Sequence, residues 1–542
     1  MDEEERQHWV NDRHMARFYE SLEGVLKRHD PIEYILAMAV RFEQCSKDYK
    51  KWTQTPPFRV VHSVEACCAY ARGHSRDEVT LNRLFKAMNV YHAHNDPMQR
   101  DALGKGLLQF MLLIHREQME LQYSHSWDDF GRAISLFAQP NSLPRSSKAF
   151  KDKHGLTPFQ WIQLCFLTAM AASKSPIGLF PTDAVFEYIR QAGLGETLPE
   201  ESVRSFFALS SRTPGQIGDR FREERKKLPP YLHSSIRSAL LDTPLINIGP
   251  ARFGHEHMVL LLRDLLFRHG NDGLYRLMKG LDHFDSEIGD GFEAYVGRVL
   301  SCFEGRLSLY NEKELKKFAS GKSCDFLLEL PNEIVLVETK AVSFTKHNLT
   351  EASIKEETST RKVAKGVTQL YATAHDLSAG RFDHLKVDKS KPLLGITVTL
   401  GDIPMVNLDW YFDTFIKSLA SPKLEPPLYP SQNLTRRPIS MTIRTLEQLV
   451  MACNALRTSP VSLHEQKVAM HEARVGDWNT YLSQIVSENQ SLIQSLPFMR
   501  PQTARLLMSL GVPEETVEEK VIRRGVAAVP ESAEKIANPQ PL

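Results

Sequence analysis

The sequence predicts a mixed fold, in which a large all-α N-terminal region is followed by an α/β domain and then by a helical C-terminal extension. Apolar residues recur at three- and four-residue spacing through most of residues 1–285, as on the buried faces of helices. From about residue 286, short runs rich in Val, Ile and Leu alternate with helical stretches, which indicates buried strands covered by helices. Helical spacing returns after residue 458.

The composition is that of an ordinary globular protein. The chain has 542 residues, of which 42% are hydrophobic and 25% are charged, so it is long enough for two or three domains with substantial cores. The formal net charge of +1 gives no overall attraction to nucleic acid. Any phosphate binding must therefore come from locally clustered Lys and Arg side chains.

The cysteines and the N-terminus predict a cytoplasmic protein. The seven cysteines are scattered and form no C-x-x-C pair, which indicates reduced thiols. The acidic start, MDEEERQHWV, lacks the positive charge and the apolar run of a signal peptide. Because no apolar run is long enough to span a bilayer, we expect no membrane association.

The N-terminal region, residues 1–285, is predicted to form one or more helical domains whose role the sequence does not reveal. It contains no G-x-x-x-x-G-K-[ST] loop, so a motor or a sensor would come from a partner protein. Seven stretches carry the helical spacing: Ile32–Phe42, Ser63–Arg72, Leu81–Met88, Asp101–Glu120, Phe159–Ser173, Thr182–Gln191 and Met258–Arg268.

Two features of this region admit a functional interpretation. His92 and His94, together with His115, have a hint of metal-ligand spacing, but no Cys or carboxylate completes a set, which favours ordinary surface or core histidines. The basic run from Arg220 to Lys227 could contact phosphates. Its interleaved glutamates favour a solvated helix face instead.

The α/β domain is predicted to span residues 286–457, the helical extension residues 458–527, and a disordered tail residues 528–542. A linker rich in Pro and Ser, Ser421–Pro438, interrupts the α/β domain. The predicted helices are 287–303, Glu351–Leu377, Asn407–Ala420 and Leu446–Leu456; the predicted strands outside the hairpin below are Arg306–Tyr310, Leu393–Leu400 and Ile439–Ile443.

Two apolar runs in this domain, Phe326–Leu330 and Ile334–Val337, are predicted to form a strand hairpin. Because Pro331 cannot adopt a positive φ, a tight primed turn is disfavoured and a loop of about four residues is expected. A one-residue shift of the register would move every side chain to the other face. Closure around Leu330–Glu333 pairs Glu329 with Ile334, Leu327 with Leu336, and Asp325 with Glu338.

This register brings ionisable groups together inside an apolar environment. Asp325 and Glu338 lie side by side, and Lys340, two residues further on, shares their face of the sheet. Buried like charges repel unless a cation lies between them, and oxygen ligands suit Mg²⁺ or Mn²⁺. A lysine beside that cation could hold an attacking water or a scissile phosphate.

The pattern of Asp325 followed by Glu338-Thr339-Lys340 on a hairpin resembles the motif of the PD-(D/E)XK nuclease superfamily, which has the restriction-endonuclease-like fold. The segment Gly289 to Glu293 opens a helix like the one with which the family's core often begins. Lys365 to Gln369 lies on a later helical run, where several branches carry a motif Gln. Cys324 stands where many members have Pro. The resemblance covers about residues 286–456.

The resemblance implies roles for six residues. Asp325 and Glu338 would hold one or two Mg²⁺ (or Mn²⁺) ions, with the carbonyl of Thr339 as an extra ligand and Glu293 on the acidic side. Lys340 would orient the attacking water and stabilise the transition state, and Gln369 would support the site from its helix. Taken singly, Glu293 is more typical of a solvated helix position and Gln369 of a surface amide.

The function that this resemblance implies is that of a metal-dependent nuclease that hydrolyses phosphodiester bonds, with DNA favoured over RNA. By analogy of fold alone, its setting would be a prokaryotic defence or mobile-element system. Lysines and arginines near the motif would line a phosphate groove: Lys313, Lys316, Lys317, Lys322, Lys346, Lys355, Arg361, Lys362 and Lys365.

Two alternatives remain open at this point. One is a catalytically inactive nuclease-like protein that binds nucleic acid or acts as a scaffold. The other is a helical interaction protein whose N-terminal half carries the function. The sequence leaves the oligomeric state, the endo or exo mode of cleavage and the sequence specificity undetermined.

Overall fold

The structure is a computed structural model. Apart from a few isolated positions before residue 26, it describes residues 26–46, 57–73, 127–139, 142–227, 237–250, 253–343, 357–403, 406–420, 437–470, 478–489 and 496–517. The predicted helices Leu81–Met88 and Asp101–Glu120, the histidines at positions 92, 94 and 115, Lys346, Lys355 and the predicted disordered tail lie outside these residues.

Helices dominate the described part of residues 26–285, and most of the predicted ones are confirmed. π-helical turns lie at Ile134–Ala138 and His269–Gly273, and a 3₁₀ turn lies at Ala239–Leu241. The helices are α1 Pro31–Ser46, α2 Pro57–Tyr70, α3 Trp127–Ala133, α4 Pro144–His154, α5 Pro158–Ser173, α6 Asp183–Gln191, α7 Glu200–Ser210, α8 Pro214–Lys226, α9 Asp264–Arg268 and α10 Leu274–Met278.

The prediction of an all-α N-terminal region is wrong, because this region contains a four-stranded sheet. The predicted helix Met258–Arg268 begins as a strand and becomes helical only at α9. A short continuous apolar run fits a buried strand and a buried helix equally well, so its pairing partners decide. The strands, in the order β1-β4-β3-β2, are β1 Leu179–Pro181, β2 Ser211–Arg212, β3 Leu245–Gly249 and β4 His257–Val259.

The C-terminal part has the predicted order of helix, three strands, helix and strand. Its sheet has the strand order β5-β6-β7-β8-β9. The strands are β5 Ser308–Asn311, β6 Phe326–Glu329, β7 Ile334–Lys340, β8 Leu393–Thr399 and β9 Ile439–Thr442. The helices are α11 Phe284–Leu300, α12 Glu312–Leu315, α13 Thr358–Ser378, α14 Asp409–Tyr411, α15 Lys417–Leu419, α16 Ile443–Leu456, α17 Pro460–Met470, α18 Trp478–Glu488, α19 Arg500–Ser509 and α20 Glu514–Val517.

The connections between strands determine the directions in this sheet. A connection that contains the short helix α12 joins β5 to β6, a four-residue loop joins β6 to β7, and both pairs are antiparallel. The connection from β7 to β8 contains α13, and these two strands are parallel, as a helical crossover requires. β8 and β9 are parallel as well. A long helix thereby covers the strand that carries the predicted motif.

The register of the β6–β7 hairpin is the predicted one. Leu327 pairs with Leu336 and Glu329 with Ile334, and the amide of Leu330 donates to the carbonyl of Glu333 at 2.9 Å across the loop. Asp325 directly precedes β6, so the same register sets it opposite Glu338.

The two faces of the hairpin are buried against different helices. On one face, Phe326 contacts α11, where a Cβ on Gly297 would lie 3.1 Å from its ring. On the other face, Leu327 and Leu336 share a core cluster with residues of α13. Because side chains alternate along a strand, Glu338 and Lys340 face α13.

One hydrophobic core crosses the predicted boundary at residue 285. It extends from Phe130 in α3 through α11 and the β5–β9 sheet to Val517 in α20. A second core, which includes α1, α2 and α8, lies in the N-terminal region. The α/β part thus packs on helices from both sides of it in the chain. In the described part of the chain, no helix is both long enough and apolar enough to cross a membrane.

Glu287 of α11 caps the N-terminus of α4. Its carboxylate accepts hydrogen bonds from the amides of Arg145 at 3.2 Å and Ser146 at 2.9 Å. These groups have no partner within their own helix, so a carboxylate there stabilises α4. Burial would raise the pKa of Glu287, but the bonds from Ser146 and Arg145 outweigh it and hold the pKa at about 2.

A buried ion cluster joins α3 to α16 and α11. Arg132 binds the Glu447 carboxylate through two nitrogens, at 2.8 Å and 2.5 Å, and also contacts Asp129 at 2.5 Å. The hydroxyl of Tyr295 donates to Glu447 at 2.8 Å. We call these residues the Arg132–Glu447 cluster. It ties the N-terminal helices to the helix that follows β9.

Replacing Glu447 by Ala is expected to lower the free energy of unfolding by about 3–5 kcal/mol, because it leaves the buried Arg132 charge poorly compensated. Urea denaturation measures this loss. The control Lys148→Ala breaks an exposed pair with Asp152 and should cost only about 0.3–0.5 kcal/mol. Equal losses in the two variants would contradict a joining role for the cluster.

Candidate active site

The predicted motif residues meet at one end of the β6–β7 hairpin, beside α13. Glu338 and Lys340 lie near the end of β7, and Asp325 lies just before β6. Glu338 is 1% exposed and Asp325 is 9% exposed, whereas the side chain of Lys340 is 15% exposed. The site is therefore closed over its carboxylates and reaches solvent through the lysine.

Lys340 links strand β7 to helix α13. Its ammonium group donates to Oε1 of Glu338 and also to Oε1 of Gln369, at 3.3 Å. The amide nitrogen of Gln369 donates in turn to the carbonyl of Ser323 at 3.1 Å. Gln369 thus connects the lysine to the segment that carries Asp325.

Thr339, which lies between Glu338 and Lys340 in the chain, orients Asp325. Its Oδ2 accepts hydrogen bonds from the amide of Thr339 at 2.6 Å and from the hydroxyl of Thr339 at 2.5 Å. These two bonds fix one oxygen of the carboxylate, and they thereby restrict the orientation of the other oxygen. Thr339 contributes its N–H and hydroxyl to this contact, rather than only the carbonyl that the family resemblance implies.

Glu338 is in an environment that disfavours its charge. Burial and the neighbouring Asp325 raise the pKa of Glu338 to about 8, although Lys340 and the amide of Asp325 counteract the shift. Its Oε2 atom is buried and has no hydrogen-bond partner at bonding distance. A buried carboxylate oxygen without a hydrogen-bond donor is unfavourable, so this atom has the capacity to bind a donor or a cation.

Glu293 approaches from the opposite layer. It lies on α11, one turn before Gly297, and is half-buried. Burial and the charge of Asp325 raise the pKa of Glu293 to about 7, so the two carboxylates interact. Within the described ranges, however, no group of three or more His, Cys, Asp or Glu side chains is arranged to hold a metal ion. Asp325 and Glu338 thus lie opposite each other across the hairpin, and Glu293 is a neighbouring acid on α11.

Sequence reasoning did not predict that Gly366 contributes to the packing around Glu338. A Cβ at this position of α13 would lie 3.1 Å from Cγ of Glu338 and 3.2 Å from Cγ2 of Thr397. The absence of a side chain thus allows α13 to approach β7 and β8 closely. A glycine inside a helical pattern, three residues before Gln369, was the available signal.

No protein-family model matches the chain, and neither a curated protein nor a solved structure is significantly similar to it. The chemistry of the site must therefore be argued from its own residues.

Replacing Asp325 by Asn is expected to flatten the pH dependence of stability. Glu338 and Glu293 have raised pKa values in the folded state, so their contribution to the free energy of unfolding is largest below about pH 4.5 and is lost as pH rises through about 7 and about 8. Removing the charge of Asp325 lowers both pKa values and reduces that fall. Urea titrations at a series of pH values measure it.

The exposed Asp152→Asn variant serves as the control and should show the wild-type pH dependence. If the Asp325→Asn curve also followed the wild type, the three carboxylates would not be interacting.

Replacing Gly366 by Ala is expected to destabilise the protein by about 1–3 kcal/mol, because the methyl group overpacks against Glu338 and Thr397. The control is Gly289→Ala in α11, where a Cβ meets no atom within 4 Å. There the higher helix propensity of Ala should raise the free energy of unfolding by up to about 1 kcal/mol. Changes of the same sign and size would refute close packing at Gly366.

Proposed function

We propose that this protein is a metal-dependent nuclease of the PD-(D/E)XK type, which hydrolyses phosphodiester bonds in DNA rather than RNA. The observation that supports the proposal is the convergence of Asp325, Glu338 and Lys340 at one end of the hairpin, with Gln369 supporting the lysine. Two acids and a lysine in this arrangement are the groups that phosphodiester hydrolysis by this family uses. The α/β part of the chain would have the restriction-endonuclease-like fold.

The residues present fit a divalent cation of the Mg²⁺ or Mn²⁺ type. The Oε2 atom of Glu338 has no hydrogen-bond partner, and burial together with the charge of Asp325 raises the pKa of Glu338, so a cation between the two carboxylates would offset both unfavourable effects. Asp325 and Glu338 would hold the ion, with the carbonyl of Thr339 as a further oxygen ligand and Glu293 adding negative charge from α11. When bound, such an ion lowers the pKa of a water and offsets charge on phosphate oxygens.

The protein's own side chains supply the rest of the chemistry. The ammonium group of Lys340 carries the positive charge that would bind a phosphate oxygen and orient the attacking water. Gln369 holds that ammonium group in place through Oε1 and is itself anchored on Ser323. Thr339 keeps Asp325 oriented through two hydrogen bonds. Each group is thus positioned before substrate arrives.

Exposed basic residues around the site support nucleic acid as the substrate. Four lysines lie on the segment that leads into Asp325, and three more basic residues lie on the exposed side of α13. Such residues neutralise backbone phosphates without reading sequence. The exposed residues are Lys313, Lys316, Lys317, Lys322, Arg361, Lys362 and Lys365.

A second candidate function is that of a catalytically inactive protein that binds nucleic acid or serves as a scaffold. The observation that favours it is the direct contact between Lys340 and Glu338, in which the amine and an acid neutralise each other. In that case the buried pair would stabilise the hairpin, and the basic surface would carry the function.

The cellular setting is part of the same proposal. The described cysteines are free thiols and most are buried, which agrees with a reducing, cytoplasmic environment. A partner protein would supply any motor or sensor, and a role in prokaryotic defence or in a mobile element rests on analogy of fold alone.

The Glu338→Ala and Lys340→Ala variants are each expected to lower the cleavage rate by about 100-fold or more, because they remove a cation ligand and the charge that stabilises the transition state. The assay incubates single-stranded DNA, double-stranded DNA and RNA with the protein, with Mg²⁺, with Mn²⁺ and with a chelator. Asp325→Asn should raise the Mg²⁺ concentration needed for half-maximal cleavage.

The matched control is Glu329→Gln at the other end of the same hairpin, where Glu329 pairs with Lys391 at 2.8 Å. This variant should cleave at the wild-type rate. Full activity in both Glu338→Ala and Lys340→Ala would refute the nuclease proposal. Binding without cleavage by the wild type, under every ionic condition, would select the inactive alternative.

A further inference from the structure

Three arginines from different parts of the chain surround one carboxylate in the N-terminal region. Arg220 lies on α8, Arg237 precedes the 3₁₀ turn, and Arg276 lies on α10. Their distances to the carboxylate oxygens of Asp242 are 2.8 Å, 2.6 Å and 3.1 Å, respectively. All four side chains are half-buried. We call them the arginine cluster.

The donors in this cluster outnumber the acceptors. Each guanidinium has five N–H donors, whereas the carboxylate of Asp242 offers two oxygens. Besides the contacts to Asp242, Arg276 donates one bond to the carbonyl of Leu241, at 2.7 Å. Arg220 and Arg276 alone place two positive charges against the single negative charge of Asp242, which leaves an excess of positive charge in a partly desolvated position.

Two neighbouring charged groups among the described residues are already engaged elsewhere. Asp272 pairs with Arg268 at 2.9 Å. Glu65 accepts hydrogen bonds from the hydroxyl of Ser238 at 2.8 Å and from the amide of Ala239 at 2.6 Å. Burial raises the pKa of Glu65 to about 7, so at neutral pH it is only partly ionised.

The pKa values reflect the same imbalance. Burial alone would raise the pKa of Asp242, but Arg237 and Arg276 outweigh it and hold the pKa well below its usual range. Burial and the repulsion of Arg237 lower the pKa of Arg276 to about 10. Arg276 therefore stays charged at neutral pH while lacking enough negative charge around it. His269 is neutral there, because burial and Arg276 lower its pKa to about 3.

We infer that the arginine cluster is a binding site for a phosphate group. The planar forks of the arginines match the geometry of phosphate oxygens, and the partly exposed side chains of Arg220 and Arg276 leave donors accessible from solvent. The negative charge of the ligand would supply what Asp242 alone does not. This inference is independent of cleavage at the Asp325 site.

The location gives binding a structural consequence. Ile217 and Phe221 of α8, like Leu241, belong to the second core, whereas Leu274 and Met278 of α10 belong to the core that includes the β5–β9 sheet. The arginine cluster therefore lies where the two cores meet. A phosphate held by arginines from both sides would stabilise that junction, so its binding should be visible in the thermal stability of the full-length protein.

The test uses the full-length protein and inorganic phosphate, with chloride added to keep the ionic strength constant. We expect phosphate to raise Tm above the chloride reference in the wild type. In Arg220→Gln, the dissociation constant for phosphate should rise about tenfold or more, because charge-assisted hydrogen bonds are lost. Arg204→Gln is the control, since Arg204 is exposed on α7 and pairs with Glu200; it should bind phosphate as the wild type does.

A second variant separates a phosphate site from a purely structural ion network. Asp242→Asn removes the carboxylate that competes with the ligand, so it should lower the dissociation constant for phosphate even though it lowers Tm in chloride. A purely structural network predicts no such gain in affinity. Arg220→Lys keeps the charge but loses the planar fork, and it should bind phosphate more weakly than the wild type.

Competition identifies the source of the phosphate. If inorganic phosphate displaces a labelled single-stranded oligonucleotide from the wild type but not from Arg220→Gln, the site binds a nucleic-acid backbone. If phosphate raises Tm without displacing the oligonucleotide, the ligand is a small phosphate compound. The inference is overturned if phosphate has no effect beyond that of chloride, or if Arg220→Gln responds as the wild type does.

Discussion

The register of the β6–β7 hairpin decides which charged side chains meet at the candidate site. The four-residue loop Leu330–Glu333 sets Leu327 opposite Leu336, and this pairing carries Asp325 to the position opposite Glu338. A shift by one residue would turn the acids away from α13 and exchange the side chains that pack against α11 with those that pack against α13. The apolar side chains on both faces therefore stabilise the register, and the register positions the charged side chains of the site.

Charges are balanced to different degrees in three parts of this protein. In the Arg132–Glu447 cluster, opposite charges and a tyrosine hydroxyl satisfy one another, which suits a structural junction. At the candidate active site, the acids outnumber the single lysine, and one buried oxygen has no partner. In the arginine cluster the imbalance has the opposite sign. Since buried excess charge is unfavourable, the second arrangement suits a cation and the third an anion.

Helices that precede the β5–β9 sheet in the chain and helices that follow it pack together in the same core as the sheet. One core runs from Phe130 to Val517, and Glu287 of α11 caps α4 across the predicted boundary at residue 285. The boundary itself stays a prediction, but packing continues through it. Glu293 lies on this same helix α11 and interacts electrostatically with Asp325, so the position of an acid near the site depends on how α11 packs against the N-terminal helices.

The local pattern of the sequence by itself determined the hairpin, its loop and the shared face of Asp325, Glu338 and Lys340, because strand alternation and the constraint of Pro331 act over a few residues. It failed at Met258–Arg268, where an apolar run fits helix and strand alike and only pairing with β1 and β3 decided for a strand. Tertiary structure alone placed Gly366 against Glu338, brought three arginines to Asp242 and kept Glu293 in a separate layer. Those contacts join residues far apart in the chain, and their distances depend on how whole helices pack, which no local spacing records.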